Sequence, residues 1–171
     1  MKKQLQNLGS YMAQLFSSKE NKAPKKRRLS GAQDFGNWKK VCEGILEKPF
    51  PPQSSDFSDN ELERDRRVTL SKLSNWELIC EEIVDTEYSH VYHQKCYEEL
   101  RNRGKSEQEI FEMRKFAWQI VGWFNFPMMV WDWTHLGDSD VFTAIKWLYD
   151  YNQISQEQRI EFENFAKLHA G

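Results

Sequence analysis

Cysteine is scarce in this chain. Three in 171 residues cannot form a disulfide framework, which points to a reducing compartment. Long apolar runs are missing: none approaches the roughly 18 residues of a membrane span. The opening stretch, MKKQLQNLGSYMAQLF, has the lysines of a signal peptide but no continuous apolar core behind them. The eight glycines are scattered, so there is no glycine-rich phosphate loop. No Cys-x-x-Cys pair exists, which removes zinc-finger and redox readings. With 39% apolar and 29% charged residues, collagen-like, mucin-like and wholly disordered chains are excluded as well. The expectation is a soluble cytoplasmic protein without a transmembrane segment, with a nuclear location only in a eukaryotic host.

The formal net charge of −2 hides an asymmetry. Residues 1–31 hold eight basic residues and one acid, Glu20, a balance of +7; the remainder holds 16 basic and 25 acidic residues, a balance of −9. The chain therefore divides into a basic arm with its linker, 1–31, and an acidic, aromatic-rich domain, 32–171. In the arm, Leu5, Leu8, Met12, Leu15 and Phe16 recur at three- and four-residue steps, an amphipathic helical pattern in need of a surface. The following SSKENKAPKKRRLSGAQ reads as a linker. Its Lys25, Lys26, Arg27 and Arg28 could hold phosphates of a nucleic acid or an anionic surface, or the acidic body of the same or a second copy. KAPKKRRLS also resembles a nuclear-localisation patch, and RRLS a basophilic kinase site ending at Ser30; both patterns are short and common.

From residue 34 onward the pattern is helical. Asp34 is placed to cap a helix carrying Trp38, Val41, Cys42, Ile45 and Leu46, with Pro49 as its stop. Phe50 to Ser55 reads as an extended, polyproline-like connector. Four Ser-x-x-Glu/Gln pairs follow: Ser58/Glu61, Ser74/Glu77, Ser106/Glu109 and Ser155/Gln158. Such pairs are common by composition; what matters is that each precedes an apolar stripe of helical period. The stripes are Leu62, Thr69, Leu70 and Leu73; Trp76, Ile79, Cys80, Ile83 and Val84; Ile110, Met113, Ala117, Ile120, Val121 and Phe124; and Ile160, Phe162, Phe165 and Ala166 beside Arg159. The Ser74 helix is expected to run to Arg103, stopped by Gly104, and its rotating stripe implies different neighbours at its two ends. Residues 125–137 fit a short helix capped by Asn125, in preference to a strand with no partner. Asp138 or Ser139 then caps a helix to Tyr151. The predicted fold is all-α: one irregular globule of six or seven helices preceded by a basic N-terminal arm.

Two features bear on function. Eleven aromatic residues lie between Phe116 and Tyr151. At roughly 150–250 Å² each, they exceed what one core needs. Some of Trp118, Trp123, Trp131, Trp133 and Trp147 should therefore be partly exposed, as in a partner interface or an apolar pocket. The second feature is Glu87-x-x-His90, the spacing of helical carboxylate–histidine metal ligands. With Asp132-x-x-His135 it could make one mononuclear zinc or iron site, although the second Glu-x-x-His of a di-metal centre is missing. His93 and Cys96, one turn apart mid-helix, lack the free amides of an oxyanion hole. The acids Glu81, Glu82 and Asp85 read as a solvated patch, and those at the starts of the Ser106 and Asp138 helices as favouring the helix dipole.

The leading expectation is a non-catalytic protein-interaction or regulatory module (inhibitor, immunity-type or adaptor) without a cofactor. It would bind another protein through its tryptophans and acidic patches, with possible homo-oligomerisation through the arm. The alternatives are a nucleic-acid-associated protein using the basic arm and a metal-dependent enzyme on Glu87, His90, Asp132 and His135. No family resemblance emerges from these residues.

Overall fold

A computed structural model describes residues 29–50, 69–84, 90–129 and 136–171. Within them the chain forms six α-helices and no strand, the all-α architecture expected. They are α1 (Phe35–Leu46), α2 (Asn75–Cys80), α3 (His90–Asn102), α4 (Glu107–Asn125), α5 (Asp138–Asp150) and α6 (Gln156–His169). Short 3₁₀ turns at Gly31–Gln33 and Leu70–Lys72 precede α1 and α2.

The helix starts follow the sequence signals. The Asp34 carboxylate accepts from the Asn37 amide at 2.9 Å, satisfying one of the first-turn donors of α1. Ser74, Ser106 and Ser155 each make the reciprocal box with Glu77, Glu109 and Gln158. At α5 the Gly137 amide donates to the Asp140 carboxylate, one residue earlier than the expected cap. Helix ends are equally local. Gly104 takes φ +84°, and Lys105 N–H reaches back to the Leu100 carbonyl at 3.1 Å. Asn152, at φ 55°, does the same for α5, with Gln153 N–H on the Leu148 carbonyl.

Helix α4 is the axis of the assembly: α1, α2, α3 and α5 all pack on it, and α6 packs on α5. Its 19 residues span about 28 Å, and Ile110, Met113, Ala117, Ile120, Val121 and Phe124 are all buried, as their spacing predicts. Trp76 of α2 is fully enclosed, its indole N–H donating to the Ala166 carbonyl at 2.9 Å.

Two arginines tie the loops to this frame. Arg114, only 2% exposed, grips Glu82 through two nitrogens at 2.6 and 2.7 Å. It also donates to the Lys48 carbonyl and lies over the Phe50 ring. Arg103 donates to the Leu70 and Leu73 carbonyls, the Asn75 side chain and Glu99, fixing the turn that leads into α2.

Four expectations are corrected. The helix from Ser74 does not continue to Arg103: α2 ends at Cys80, whose carbonyl draws in the Ile83 and Val84 amides at 2.8 and 3.3 Å, tightening the chain into a turn. Asn125 does not cap a new helix. It is the last, buried residue of α4, and its side chain donates to the Ile83 carbonyl, while Phe126–Met129 turn away with Met129 at φ 59°. Val41 and Ile160 sit on their stripes by spacing but are about half exposed, because α1 and α6 bury narrower faces than the stripes allow. Glu81 and Glu82 are not a solvated patch: Glu81 is 4% exposed and Glu82 is held by Arg114. The Ser58/Glu61 box, the Pro51–Pro52 connector and the basic arm up to Arg28 lie outside the described residues.

Candidate interaction surface

The aromatic surplus divides into two groups. Phe116, Trp123 and Phe124 are buried, whereas Trp118, Phe126, Phe142, Trp147, Tyr149 and Tyr151 are each half-buried. Trp131 and Trp133 lie outside the described residues. The rings are therefore not all hidden, and the half-buried ones gather in two places.

The first is where α1 crosses α4. The indole N–H of Trp38 donates to the Trp118 carbonyl at 2.9 Å, and the Cys42 thiol approaches the same oxygen at 3.4 Å. Gly122 makes this crossing close: a Cβ there would stand 3.0 Å from the Trp38 ring and 3.3 Å from that of Trp118. The Trp118 ring stacks on Phe126 with centroids 6.2 Å apart and planes 14° from parallel; Trp38 meets the other side of the cluster at 6.1 Å. On the same two segments Val41 is 53% and Met129 66% exposed. The second place lies along α5 and α6. Trp147 packs edge-on to Phe124 at 4.9 Å and near Tyr151 at 6.0 Å, and the Arg159 guanidinium covers the Tyr149 ring.

The indole N–H groups distinguish these rings. Trp38, Trp76 and Trp123 each donate to a backbone carbonyl, of Trp118, Ala166 and Gln33 respectively. The Trp118 nitrogen is shut away from solvent and has no acceptor among the described residues. A buried donor without a partner costs about 1–3 kcal/mol, so Trp118 is held where it is by packing against its own polar preference. Trp123, in contrast, is fully buried with its N–H on Gln33 at 2.8 Å and its ring edge-on to Phe35. It is a core residue and drops out of the expected docking set for want of exposed surface.

Nucleophilic chemistry finds no support at two of the three thiols. Burial, helped by Glu43, pushes Cys42 up to about 12. Burial also raises Cys80 well above the ordinary thiol range, reinforced by Asp140, Glu81, Asp138 and Glu77. Both side chains are protonated at neutral pH and serve as small apolar filling. Among the described residues no group of three or more His, Cys, Asp or Glu side chains could hold a metal ion. Of the four residues proposed for a metal, Glu87, Asp132 and His135 lie outside the described residues. His90 opens α3, but its side chain is outside them too. The same holds for Lys25, Lys26, Arg27 and Arg28.

An open cleft of about 540 Å³ between Lys72, Glu77, Arg103 and Lys105 is polar, and Arg103 there is already bonded to carbonyls and Glu99. A smaller hollow of about 300 Å³ is lined by Leu46, Phe50, Tyr97 and Phe111, the last 45% exposed. No described helix is long and apolar enough to cross a membrane. No protein-family model, no curated protein and no solved structure matches this chain.

The sequence led to the expectation that some of five tryptophans reach the surface; of the three described, Trp118 and Trp147 are half-buried and Trp123 is buried. That expectation missed Trp38 as a partner of Trp118, because the two are 80 residues apart and nothing local joins them.

Proposed function

We propose that the protein is a non-catalytic interaction or regulatory module that binds another protein through the Trp118–Phe126 face. The observation carrying this reading is the Trp118 indole N–H, buried without an acceptor among the described residues in a half-buried stack with Phe126, while Val41 on α1 and Met129 after α4 are exposed. A partner that presses on this face lets the ring swing to a carbonyl or carboxylate and recovers the missing hydrogen bond while covering apolar surface. Tryptophan anchors with satisfied N–H groups are typical of the energetic centres of interfaces.

The test is affinity capture from the native host with the full chain, beside Trp118→Ala, Val41→Asp and the Trp131→Ala and Trp133→Ala variants. A specific partner should be retained by the wild type and lost by Trp118→Ala and Val41→Asp, with helical content unchanged by circular dichroism. If the same partner is held equally by both folded variants, this face is not the interface. A captured nucleic acid, released steeply by salt and lost on Lys25→Ala/Lys26→Ala/Arg27→Ala/Arg28→Ala, would move the function to the basic arm.

A further inference from the structure

The sequence Arg27-Arg28-Leu29-Ser30 has a counterpart 39 residues on, Arg66-Arg67-Val68-Thr69. Each is a pair of arginines, one aliphatic residue and a hydroxyl. With nine arginines, 17 serines and threonines and 28 leucines, isoleucines and valines in 171 residues, chance yields roughly 0.008 such tetrads in the chain. The structure gives the two hydroxyls the same setting. Ser30 and Thr69 are both exposed, both have extended backbone (ψ 161° and 93°), and each immediately precedes a three-residue 3₁₀ turn leading into a helix. The Thr69 side chain does not cap its turn, and Ser30 forms a local box with Gln33, the Ser30 amide donating to the Gln33 side chain at 3.2 Å. The Ser30 hydroxyl is engaged only locally, with the Gln33 side chain at 3.1 Å.

We propose that Ser30 and Thr69 are a pair of phosphorylation sites for a serine/threonine kinase that selects arginine at the second and third positions before the acceptor. The hydroxyl oxygen attacks the γ-phosphorus of a nucleoside triphosphate held by the kinase. The new O–P bond forms as the bond from that phosphorus to the β,γ-bridging oxygen breaks. The hydroxyl proton passes to the kinase's base, and the nucleoside diphosphate leaves. The kinase and the triphosphate come from outside this chain. Each hydroxyl is reached by loosening one three-residue turn held by a few local hydrogen bonds.

Ser106 is an internal contrast. It has Arg103 three residues before it, yet that guanidinium is bound to Leu70, Leu73, Asn75 and Glu99, and the Ser106 hydroxyl caps α4 through the Glu109 amide. It should not be modified. Each phosphate brings about −1.5 to −2 charge at pH 7. At Ser30 it would sit at the root of an arm whose balance is +7 and weaken that arm's hold on any polyanion.

The experiment incubates the native full chain with magnesium, a nucleoside triphosphate and the catalytic subunit of a cyclic-nucleotide-dependent kinase, and maps phosphate by tandem mass spectrometry. Two phosphates are expected, on Ser30 and Thr69. Ser30→Ala and Thr69→Ala should each accept one and the double variant none. Arg27→Ala/Arg28→Ala and Arg66→Ala/Arg67→Ala should slow their own sites at least tenfold. The proposal is overturned if the double variant is phosphorylated as fast as the wild type, if Ser106 is the principal site, or if only heat-unfolded chain accepts phosphate.

Discussion

Trp118 and Trp123 stand five residues apart on one helix, and replacing each by phenylalanine should have opposite consequences. In Trp123→Phe the N–H bonded to the Gln33 carbonyl at 2.8 Å disappears. Leaving that carbonyl without its donor costs about 1–2 kcal/mol, and the void left by the missing part of a fully buried indole adds about 1–2 kcal/mol. The sum is a loss of about 2–4 kcal/mol. In Trp118→Phe an aromatic ring remains on Cβ to pack near Phe126, only the outer part of the indole is lost, and the residue is half-buried. Lost apolar area there costs about 1 kcal/mol. Removing the N–H that has no acceptor returns about 1–3 kcal/mol. The free protein should therefore be unchanged or slightly stabilised. At a urea slope of about 1–3 kcal/mol per molar, the two variants should differ in midpoint by on the order of 1–2 M. The transition is best followed by far-ultraviolet circular dichroism, which does not depend on the tryptophan count. If Trp118→Phe loses as much stability as Trp123→Phe, the Trp118 N–H has an acceptor, and the reasoning that made it the centre of the interaction face fails.

Two further outcomes follow from the buried polar groups. Arg114→Ala strands Glu82 and the Lys48 carbonyl and should cost about 3–5 kcal/mol by urea denaturation, whereas Arg114→Met/Glu82→Leu should recover most of that loss; equal losses in both would show that packing rather than charge pairing dominates there. His169 is held below its ordinary 6.5, first by burial and then by Lys105, against the opposing pull of Glu109 and Glu112. The unfolded chain therefore takes up the proton first as pH falls through about 6.5, so this group's share of stability is present above that pH and is lost below it, down to the folded-state pKa. The denaturation midpoint should drop more steeply between pH 7.5 and 5 in the wild type than in His169→Gln, and parallel curves would remove His169 from the account.

Much of the architecture was legible in one dimension because it is made by local physics. The Ser74, Ser106 and Ser155 boxes, the Asp34 cap and the Gly104 stop need only neighbours within a few residues, and all are realised. The buried face of α4 was equally plain from its spacing. The break after Cys80 was not, because Ile83 and Val84 continue the helical stripe; they are buried just as well from a turn.

The sequence alone determined helix content, most helix starts, the charge asymmetry, and the presence of more rings than a core can absorb, since each follows from composition or from spacing along the chain. Which rings reach the surface was decided only by the tertiary structure. Trp118 and Trp123 lie about 140° apart around α4, and nothing near either one says which side a helix 80 residues away will cover. The crossing of α1, set by Trp38 and admitted by the missing side chain at Gly122, sealed Trp123 and left Trp118 half open with its N–H unanswered.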